Sequence, residues 1–416
     1  MLINSEKIYV NNSFDTTTYG EFYLGDSLEL MPELISQYGG KIKLVYFDPP
    51  FMTGREFDAS MPVGEKGFSG DRTYYTKIPS YSDNWKSKEE YLNFLKKILI
   101  GAKELLKNDG VISVHVDRHA SHYVRLLLDE VFGENAFINE IIWHYHSGGS
   151  SKSSFPAKHD NIYLYGKTSK VKINPAAAGK ARTDKRQNHM KRSVDIDGRV
   201  YFSIKSNGKE YKYYEDDIVA FDDVWDIPHL QQKHPERTGF GTQKPLELLD
   251  RIIKSCTKKD DIVCDLFAGS GTTLISALNN GRQYVGVDKS ALSLLTFRRR
   301  LTEKNCFDTM IYHTVVPDDK SGISLHKNEE NGFITVSFDN YRALNVDIDL
   351  PKYSDGLQYL TYVSVGRIED GMYITEDYSV RTNSKPVLKY NFTVPEGGKK
   401  AVYFCDCLGN HRFIEI

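Results

Sequence analysis

The chain has 416 residues, of which 40% are hydrophobic and 12% aromatic, enough for a real core and for more than one domain. A formal net charge of −2 excludes a protein that coats nucleic acid through general basicity, so any such footprint must be local. Five cysteines, an odd number with no C-x-x-C pair, argue against a disulfide framework and for reduced thiols in a cytosolic setting; the start Met1–Lys7 has no apolar signal core, and no stretch approaches a membrane-spanning run.

Residues 1–20 are polar and rich in Thr and Asn, and read as an arm. Phe22-Tyr23-Leu24-Gly25-Asp26 predicts a short strand ending in an acid. Ser27–Tyr38 predicts a helix stopped by Gly39-Gly40, with Asp26 or Ser27 as its N-cap. Leu44-Val45-Tyr46-Phe47 is a buried strand, and it runs into Asp48-Pro49-Pro50-Phe51. The two prolines remove two backbone donors and stop the ladder. What remains is an acceptor-only corner, the Asp48 carboxylate and the Pro49 carbonyl, with an aromatic face beside it. Such a corner suits the amino group of a base. Two acceptors on its N–H bonds localise a lone pair otherwise delocalised into the ring, and Phe51 can stack on the base. A plain tight turn after a strand is the alternative.

Met52–Asn84 is long and glycine-bearing, and is expected to be an irregular, mobile lid whose Tyr74, Tyr75, Tyr81 and Trp85 offer stacking surface, or else tuck against the core. Ser87–Leu106 has the apolar spacing of an amphipathic helix. Val111–Asp117 follows as a strand, Tyr123–Val131 as a helix and Phe137–Tyr145 as a strand. His115, His119 and His122 would make a metal site only with convergent geometry, and no metal is expected; Asp117-Arg118, at a strand end, is the better candidate there. From Ser151 to Tyr213 there are 15 Lys and Arg against 5 Asp and Glu, a local basic patch in a chain that is acidic elsewhere. With Tyr201, Phe202, Tyr211, Tyr213 and Tyr214 interleaved, it suits phosphate contact and base stacking; a solvated basic loop is the alternative. Lys185, Arg186 and Arg192 are its candidate DNA contacts.

Thr242-Gln243-Lys244-Pro245 opens a helix through Cys256, its buried face being Leu246, Leu249, Ile252 and Ile253. Ile262–Phe267 is a second buried strand. It runs into Ala268-Gly269-Ser270-Gly271-Thr272-Thr273, then a helix from Leu274 to Asn280, then the strand Gln283–Asp288, which also ends in an acid and is followed by Lys289. The turn lacks the third glycine of a dinucleotide fingerprint and the Gly-Lys-Ser/Thr of a P-loop. A glycine turn with Asp265 placed for an amine and Asp288 for a ribose diol describes S-adenosylmethionine better than NAD or ATP. After Arg300 the helical pattern gives way to alternating runs such as Phe333–Phe338, Tyr359–Val365, Met372–Ile374, Val387–Phe392 and Ala401–Cys405, which predict antiparallel strands.

With Asp-Pro-Pro-Phe upstream and Asp-Leu-Phe-Ala-Gly-Ser-Gly-Thr-Thr downstream, the chain resembles the permuted β group of DNA amino-methyltransferases, over roughly Tyr19–Arg300. The resemblance implies catalytic roles for Asp48, Pro49, Pro50 and Phe51. It implies cofactor contacts from Asp26 near the adenine, from Thr242, Gln243 and Lys244 at the methionine end, and from Asp48, Asp265, Phe267, Ala268, Gly269, Ser270, Gly271, Thr272, Thr273, Asp288 and Lys289. Asp at the first position of the catalytic motif resembles adenine-N6 enzymes more than cytosine-N4 ones. RNA or protein methylases usually carry the motifs in the opposite order, and a subunit that had lost activity would not need the intact Asp48, Gly269, Gly271 and Asp288. The implied partner is duplex DNA with one flipped base, with a second copy of the chain and a cognate restriction nuclease left open.

The expected fold is α/β, a doubly wound Rossmann-like methyltransferase sheet with an inserted basic target-recognition region and a small C-terminal β-rich domain. Its divisions are an arm at 1–20, a catalytic half at 21–167, the insert at 168–240, a cofactor half at 241–305 and the β-rich domain at 306–416. The strands Leu44–Phe47 and Ile262–Phe267 are expected side by side, with both motifs on the rim where the winding switches.

Overall fold

The computed structural model describes residues 5–8, 20–146, 152–181, 190–231, 233–304, 309–314, 322–343 and 348–416. Its centre is a sheet made by the buried apolar runs. Leu44, Val45, Tyr46 and Phe47 are all 2% exposed or less. A parallel strand covered on both faces has no polar side to show, so its sequence does not alternate. Ile42–Phe47 pairs in parallel with Leu106–Val116 on one side and with Ile262–Asp265 on the other, where Leu44, Val45 and Tyr46 face Val263, Cys264 and Asp265. Gln283–Asp288, Gly20–Leu24 and Thr309–His313 continue the sheet in parallel. At the opposite end His159–Gly166 runs antiparallel to both Leu106–Val116 and Phe137–His144, and Val224–Asp226 forms the edge.

Helices cover both faces. Ser27–Tyr38, Lys88–Leu105 and Ser121–Phe132 pack over Val45, Phe47, Ile112 and Val114. Leu246–Cys256, Thr272–Asn279 and Ala291–Glu303 pack over Leu44, Tyr46 and Val263. Local chemistry sets their ends. The Asp26 side chain accepts the Leu28 N–H at 2.9 Å, and the Ser87 hydroxyl accepts the Glu90 N–H at 3.2 Å, each satisfying a helix-terminal donor. Leu95, Ile98 and Leu99 are fully buried, each burial contributing roughly 1.5–3 kcal/mol. The doubly wound sheet and the adjacency of the two motif strands are therefore as expected. Pro245 sits at the cap of its helix and not inside the first turn, and Leu248 replaces Leu246 among the fully buried positions.

Three segments differ from expectation. Residues 52–84 are not irregular: Glu56–Pro62 and Tyr75–Ser82 form an antiparallel hairpin with a short helix, Gly64–Phe68, at its far end. Pro62, Pro79 and the Gly and Ser residues hide its alternation in the sequence. Ala59, Met61 and Ile78 pack with Phe240, Leu292 and Leu295 and with Tyr362, Tyr373 and Tyr403, so the hairpin is wedged between the core and the C-terminal strands. Of its aromatics, Tyr81 stacks on Phe57 with centroids 4.8 Å apart, Trp85 meets Tyr91 and Phe94, and Tyr74 meets Tyr353; Tyr81 and Trp85 also line the cavity at the strand ends.

Within the expected arm, Ser5–Ile8 is a strand. It pairs antiparallel with Thr309–His313 and parallel with Met372–Val380. Through it the central sheet continues into Leu360–Glu369, Lys399–Asp406 and His411–Glu415, reaching fourteen strands. The C-terminal region is thus β-rich, as expected, but shares its sheet with the core. A second sheet, Gly322–Glu330, Phe333–Arg342 and Asn391–Pro395, packs on it through Ile334, Val336 and Phe392 against Val363, Val402 and Phe404. The expected strand Val387–Phe392 begins only at Asn391.

In the basic insert, Lys191–Val194, Val200–Ser206 and Lys209–Tyr214 form a small antiparallel sheet. Among the described residues, no helix is long and apolar enough to cross a membrane.

Candidate active site

The carboxyl ends of Ile42–Phe47, Ile262–Asp265 and Gln283–Asp288 open onto one cavity of about 340 Å³. That size suits a small-molecule site, and the rim position follows from the winding switch between the first two strands. Asp26, Asp48, Pro49, Pro50, Phe51, Thr242, Lys244, Asp265, Phe267, Ala268, Gly269, Ser270, Thr272, Thr273, Asp288 and Lys289 all line it. Gln243 does not. It is buried, its side-chain amide donates to the Glu236 carbonyl at 2.7 Å, and its carbonyl accepts from the Thr238 N–H and hydroxyl at 2.8 Å each. It ties down the approach to the helix, and its neighbour Lys244 is the one that enters the cavity. Gly271 stands behind the wall at the helix N-terminus with φ 72°, and a Cβ there would meet the Phe297 ring at 2.7 Å.

Asp48 is the charged centre of the catalytic corner. Its Oδ2 is ion-paired with Lys244 Nζ, while Oδ1 is buried without a hydrogen-bond partner. An acceptor left bare in a cavity costs free energy unless a ligand donates to it. Lys244 Nζ also lies 5.5 Å from the centre of the Phe51 ring. Behind Phe51 is a buried polar chain that the sequence did not announce. Tyr46 Oη is 3.2 Å from His115 Nδ1, and His115 Nε2 is 3.2 Å from an Asp160 oxygen. Tyr145 donates to the other Asp160 oxygen at 3.1 Å. The His115 and Phe51 rings are 6.2 Å apart and 27° from coplanar.

The glycine turn is held from two sides. Asp288 Oδ2 accepts the Gly269 N–H at 2.7 Å and Oδ1 accepts the Ser290 N–H at 2.8 Å, which leaves each oxygen a further lone pair. The Arg300 guanidinium donates to the Ser270 carbonyl and the Thr272 hydroxyl at 2.9 Å each; burial pulls its pKa down to about 10. Asp265 accepts the Phe267 N–H at 3.0 Å. Burial, with Asp48 and Asp288 adding to it, pushes the Asp265 carboxyl up to about 7, and burial raises Asp288 as well. Four acids, Asp26, Asp48, Asp265 and Asp288, line the cavity against two lysines, Lys244 and Lys289, an acidic excess that favours a cation. Asp26 lines the cavity while also capping its helix through the Leu28 N–H.

Other candidates fall elsewhere. His115 is taken up by Tyr46 and Asp160, and His119 by Asp117 at 2.7 Å, so the three histidines do not converge. Among the described residues one group has metal-ligand spacing, His144, His146 and Asp226. It is largely exposed, and Asp226 bonds to both rings, at 3.2 and 3.0 Å. Asp117 and Arg118 do not line the cavity. In the insert, Arg192 pairs with Glu215 at 3.3 Å; Lys185 and Arg186 lie outside the described residues. Lys212 lies over Tyr201 and Arg199 over Tyr214, at 4.5 and 4.0 Å.

The sequence profile of a family described as DNA methylase matches residues 42–294. The type II methyltransferase M.EcaI of Enterobacter cloacae is 26% identical over 63% of this chain and 65% of its own length. The Mod subunit of the type III restriction-modification enzyme StyLTI of Salmonella typhimurium is 26% identical over 62% of this chain and 50% of its own length. The DNA adenine methyltransferase YhdJ of Escherichia coli is 24% identical over 67% of this chain and 81% of its own. The chain spans between half and about two thirds of the length of the first curated relatives it matches.

Proposed function

The chain belongs to the DNA methylase family, and from that premise we propose that it transfers a methyl group from S-adenosylmethionine to the N6 of adenine in duplex DNA. The observation that carries this reading is the bare, buried Asp48 Oδ1 beside the donor-free Pro49-Pro50 stretch, in a cavity shared with the glycine turn. The residues fit the cofactor: Asp48, Asp265 and Asp288 suit its positive charges and ribose, and the Gly269–Gly271 turn allows close approach. When bound, S-adenosylmethionine supplies an electrophilic methyl group on a sulfonium.

The protein's own part is acceptance, orientation and exclusion. The target base leaves the duplex because its amino group is out of reach in the stack. Asp48 Oδ1 and the Pro49 carbonyl accept its two N–H bonds, and Phe51 stacks on the ring. With S-adenosylmethionine bound, the nitrogen lone pair would take the methyl group, the sulfur would leave as a neutral thioether, and Asp48 would take the amino proton that the nitrogen loses. The gain is positioning and preorganised charge. In this reading residues 21–167 and 241–305 form the catalytic domain and 168–240 reads the target, while 306–416 is the β-rich region that shares the core's sheet. The names of the relatives, an adenine methyltransferase and a Mod subunit, support adenine as the target and a nuclease subunit as a partner.

The test is product chemistry. The full chain is incubated with labelled S-adenosylmethionine and unmethylated plasmid DNA, and the DNA is digested to nucleosides. Label in N6-methyladenine is expected; label in N4-methylcytosine establishes the runner-up; labelling of RNA or protein and not DNA overturns the reading.

A pH dependence follows from the raised Asp265. A carboxyl raised to about 7 in the free protein carries a proton below that pH, and a bound ammonium returns it towards its ordinary value. Cofactor binding should therefore release a proton at pH 6 and almost none at pH 8, and affinity should weaken as the pH falls below 7, by up to about tenfold per unit. Calorimetry in buffers of different ionisation enthalpy measures the proton count directly, and a count near zero at pH 6 would show that Asp265 does not meet the cation.

For the insert, replacing Lys185, Arg186 and Arg192 by Ala should weaken binding to all DNA sequences alike. It should also flatten the slope of log affinity on log salt by about 0.9 for each phosphate that is no longer neutralised. A salt titration of the triple variant checks this; an unchanged slope moves the DNA surface elsewhere.

A further inference from the structure

Asp83 is buried, 1% exposed, and lies just past the hairpin strand Tyr75–Ser82. Its carboxylate accepts five hydrogen bonds. Oδ2 takes the Phe51 N–H at 3.2 Å, the Thr53 N–H at 2.8 Å and the Thr53 hydroxyl at 2.7 Å. Oδ1 takes the Met52 N–H at 3.0 Å and the Trp85 indole N–H at 3.0 Å. Its backbone is bound to the same segment, donating to the Arg55 carbonyl at 2.9 Å and accepting the Gly54 N–H at 3.2 Å. Residues 51–55 are thus wrapped around this one residue.

The reason lies in the catalytic motif itself. Pro49 and Pro50 have no N–H, so the corner after Asp48 cannot anchor itself by donating until Phe51. The N–H groups of Phe51, Met52 and Thr53 then converge on one anion, the arrangement of a backbone nest. Met52 is left-handed, with φ 59°, a conformation that costs a non-glycine residue on the order of 1–3 kcal/mol and persists only when its surroundings dictate it. Asp83 supplies that dictation. Asp83 does not line the cavity, whereas Asp48, Pro49, Pro50 and Phe51 do.

We infer that Asp83 is a positioning residue of the methyl-transfer reaction, the anion that fixes the Asp48–Phe51 acceptor corner from behind. The inference rests on the methyltransferase reading. Asp83 makes no contact with the reacting atoms; it sets where the Phe51 ring and the Pro49 carbonyl stand. An acid is required because every partner is a donor. An amide of the same size turns an NH₂ group towards donors and forfeits at least one oxygen's hydrogen bonds.

The experiment compares the full-length wild type with Asp83→Asn and Thr53→Val, using tritiated S-adenosylmethionine and unmethylated plasmid DNA. Three quantities are read: the single-turnover transfer rate, the affinity for S-adenosylmethionine by calorimetry, and the melting temperature. For Asp83→Asn the expected result is a transfer rate reduced about a hundredfold with cofactor affinity within about threefold, as when a preorganised group in a catalytic site is displaced. For Thr53→Val, which removes one donor only, a fall of about fivefold is expected with unchanged melting. A merely structural role would lower melting and cofactor affinity together and leave the rate of the folded fraction intact, and that outcome overturns the inference. If Asp83→Asn does not fold, Thr53→Val decides, and a transfer rate within error of the wild type overturns it. A wild type that binds the cofactor yet labels no DNA overturns the methyltransferase reading and this inference with it; a labelling wild type and a fully active Asp83→Asn overturn this inference alone.

Discussion

Asp48→Ala and Asp48→Asn should reduce methyl transfer by roughly a thousandfold or more, about 4 kcal/mol, while the affinity for S-adenosylmethionine falls severalfold at most. With Oδ2 taken by Lys244, the acceptor of the corner that stays open is Asp48 Oδ1, buried without a partner. Asn keeps the volume but can present N–H groups where the amino group needs an acceptor. The two variants differ in what they leave behind. Lys244, one tenth exposed, is ion-paired with Asp48 Oδ2, and alanine strands its ammonium in a partly buried site. Asp48→Ala should therefore melt earlier than Asp48→Asn, although both are inactive. Single-turnover labelling, calorimetry and thermal melting on the same preparations separate these effects. Near-normal turnover in Asp48→Ala would remove the proposed mechanism.

The second large effect is expected at Asp288. Its removal should weaken S-adenosylmethionine binding tenfold to a hundredfold, the loss of a charge-assisted hydrogen bond worth about 1.5–3 kcal/mol, with DNA affinity little changed. The upper end is favoured because the same carboxylate holds Gly269 and Ser290 through their N–H groups, so alanine also frees the turn against which the cofactor would lie. Asp288→Asn can keep one of those two hydrogen bonds and should fall between the wild type and Asp288→Ala. Calorimetry with cofactor and, separately, with DNA gives the comparison; equal affinity for cofactor in wild type and Asp288→Ala would place the ribose elsewhere.

The centre of this fold was legible because its strands are buried on both faces and two of its helices, Ser27–Tyr38 and Lys88–Leu105, begin at side-chain caps. Leu44–Phe47 announces itself as an apolar run leading into Asp48 and Gln283–Asp288 as a short run of Tyr284, Val285 and Val287 ending in an acid, and Ser27–Tyr38 is found where Asp26 caps it and Gly39 stops it. The hairpin of residues 56–82 was not legible. Two prolines and a run of small residues mask its alternation, and it is stabilised by packing against Phe240, Leu292 and Tyr373, which lie far away in sequence. Pairings between distant side chains were equally hidden. Nothing local to Lys244 says that it faces Asp48, and nothing local to His115 says that it lies between Tyr46 and Asp160. Gln243, adjacent to Lys244 in the same motif, turns the other way, into a loop with no local signature. Consecutive prolines do leave the next N–H groups in need of an acceptor, but nothing local to Phe51 says that Asp83, 32 residues on and past the hairpin, supplies it.

The sheet that crosses from the core into the C-terminal region has a consequence for the order of synthesis. Ser5–Ile8 is the strand between Thr309–His313 and Met372–Val380, in register with both. On a ribosome adding about 5–20 residues per second, residue 5 waits on the order of 20–70 s before residue 372 is made. Until Thr309–His313 is made both edges of Ser5–Ile8 lack their partners, and the edge that faces Met372–Val380 stays open longer still, the condition under which chains join a neighbour's sheet in place of their own. The seam beside the core strands closes only when Ser5–Ile8 meets Met372–Val380.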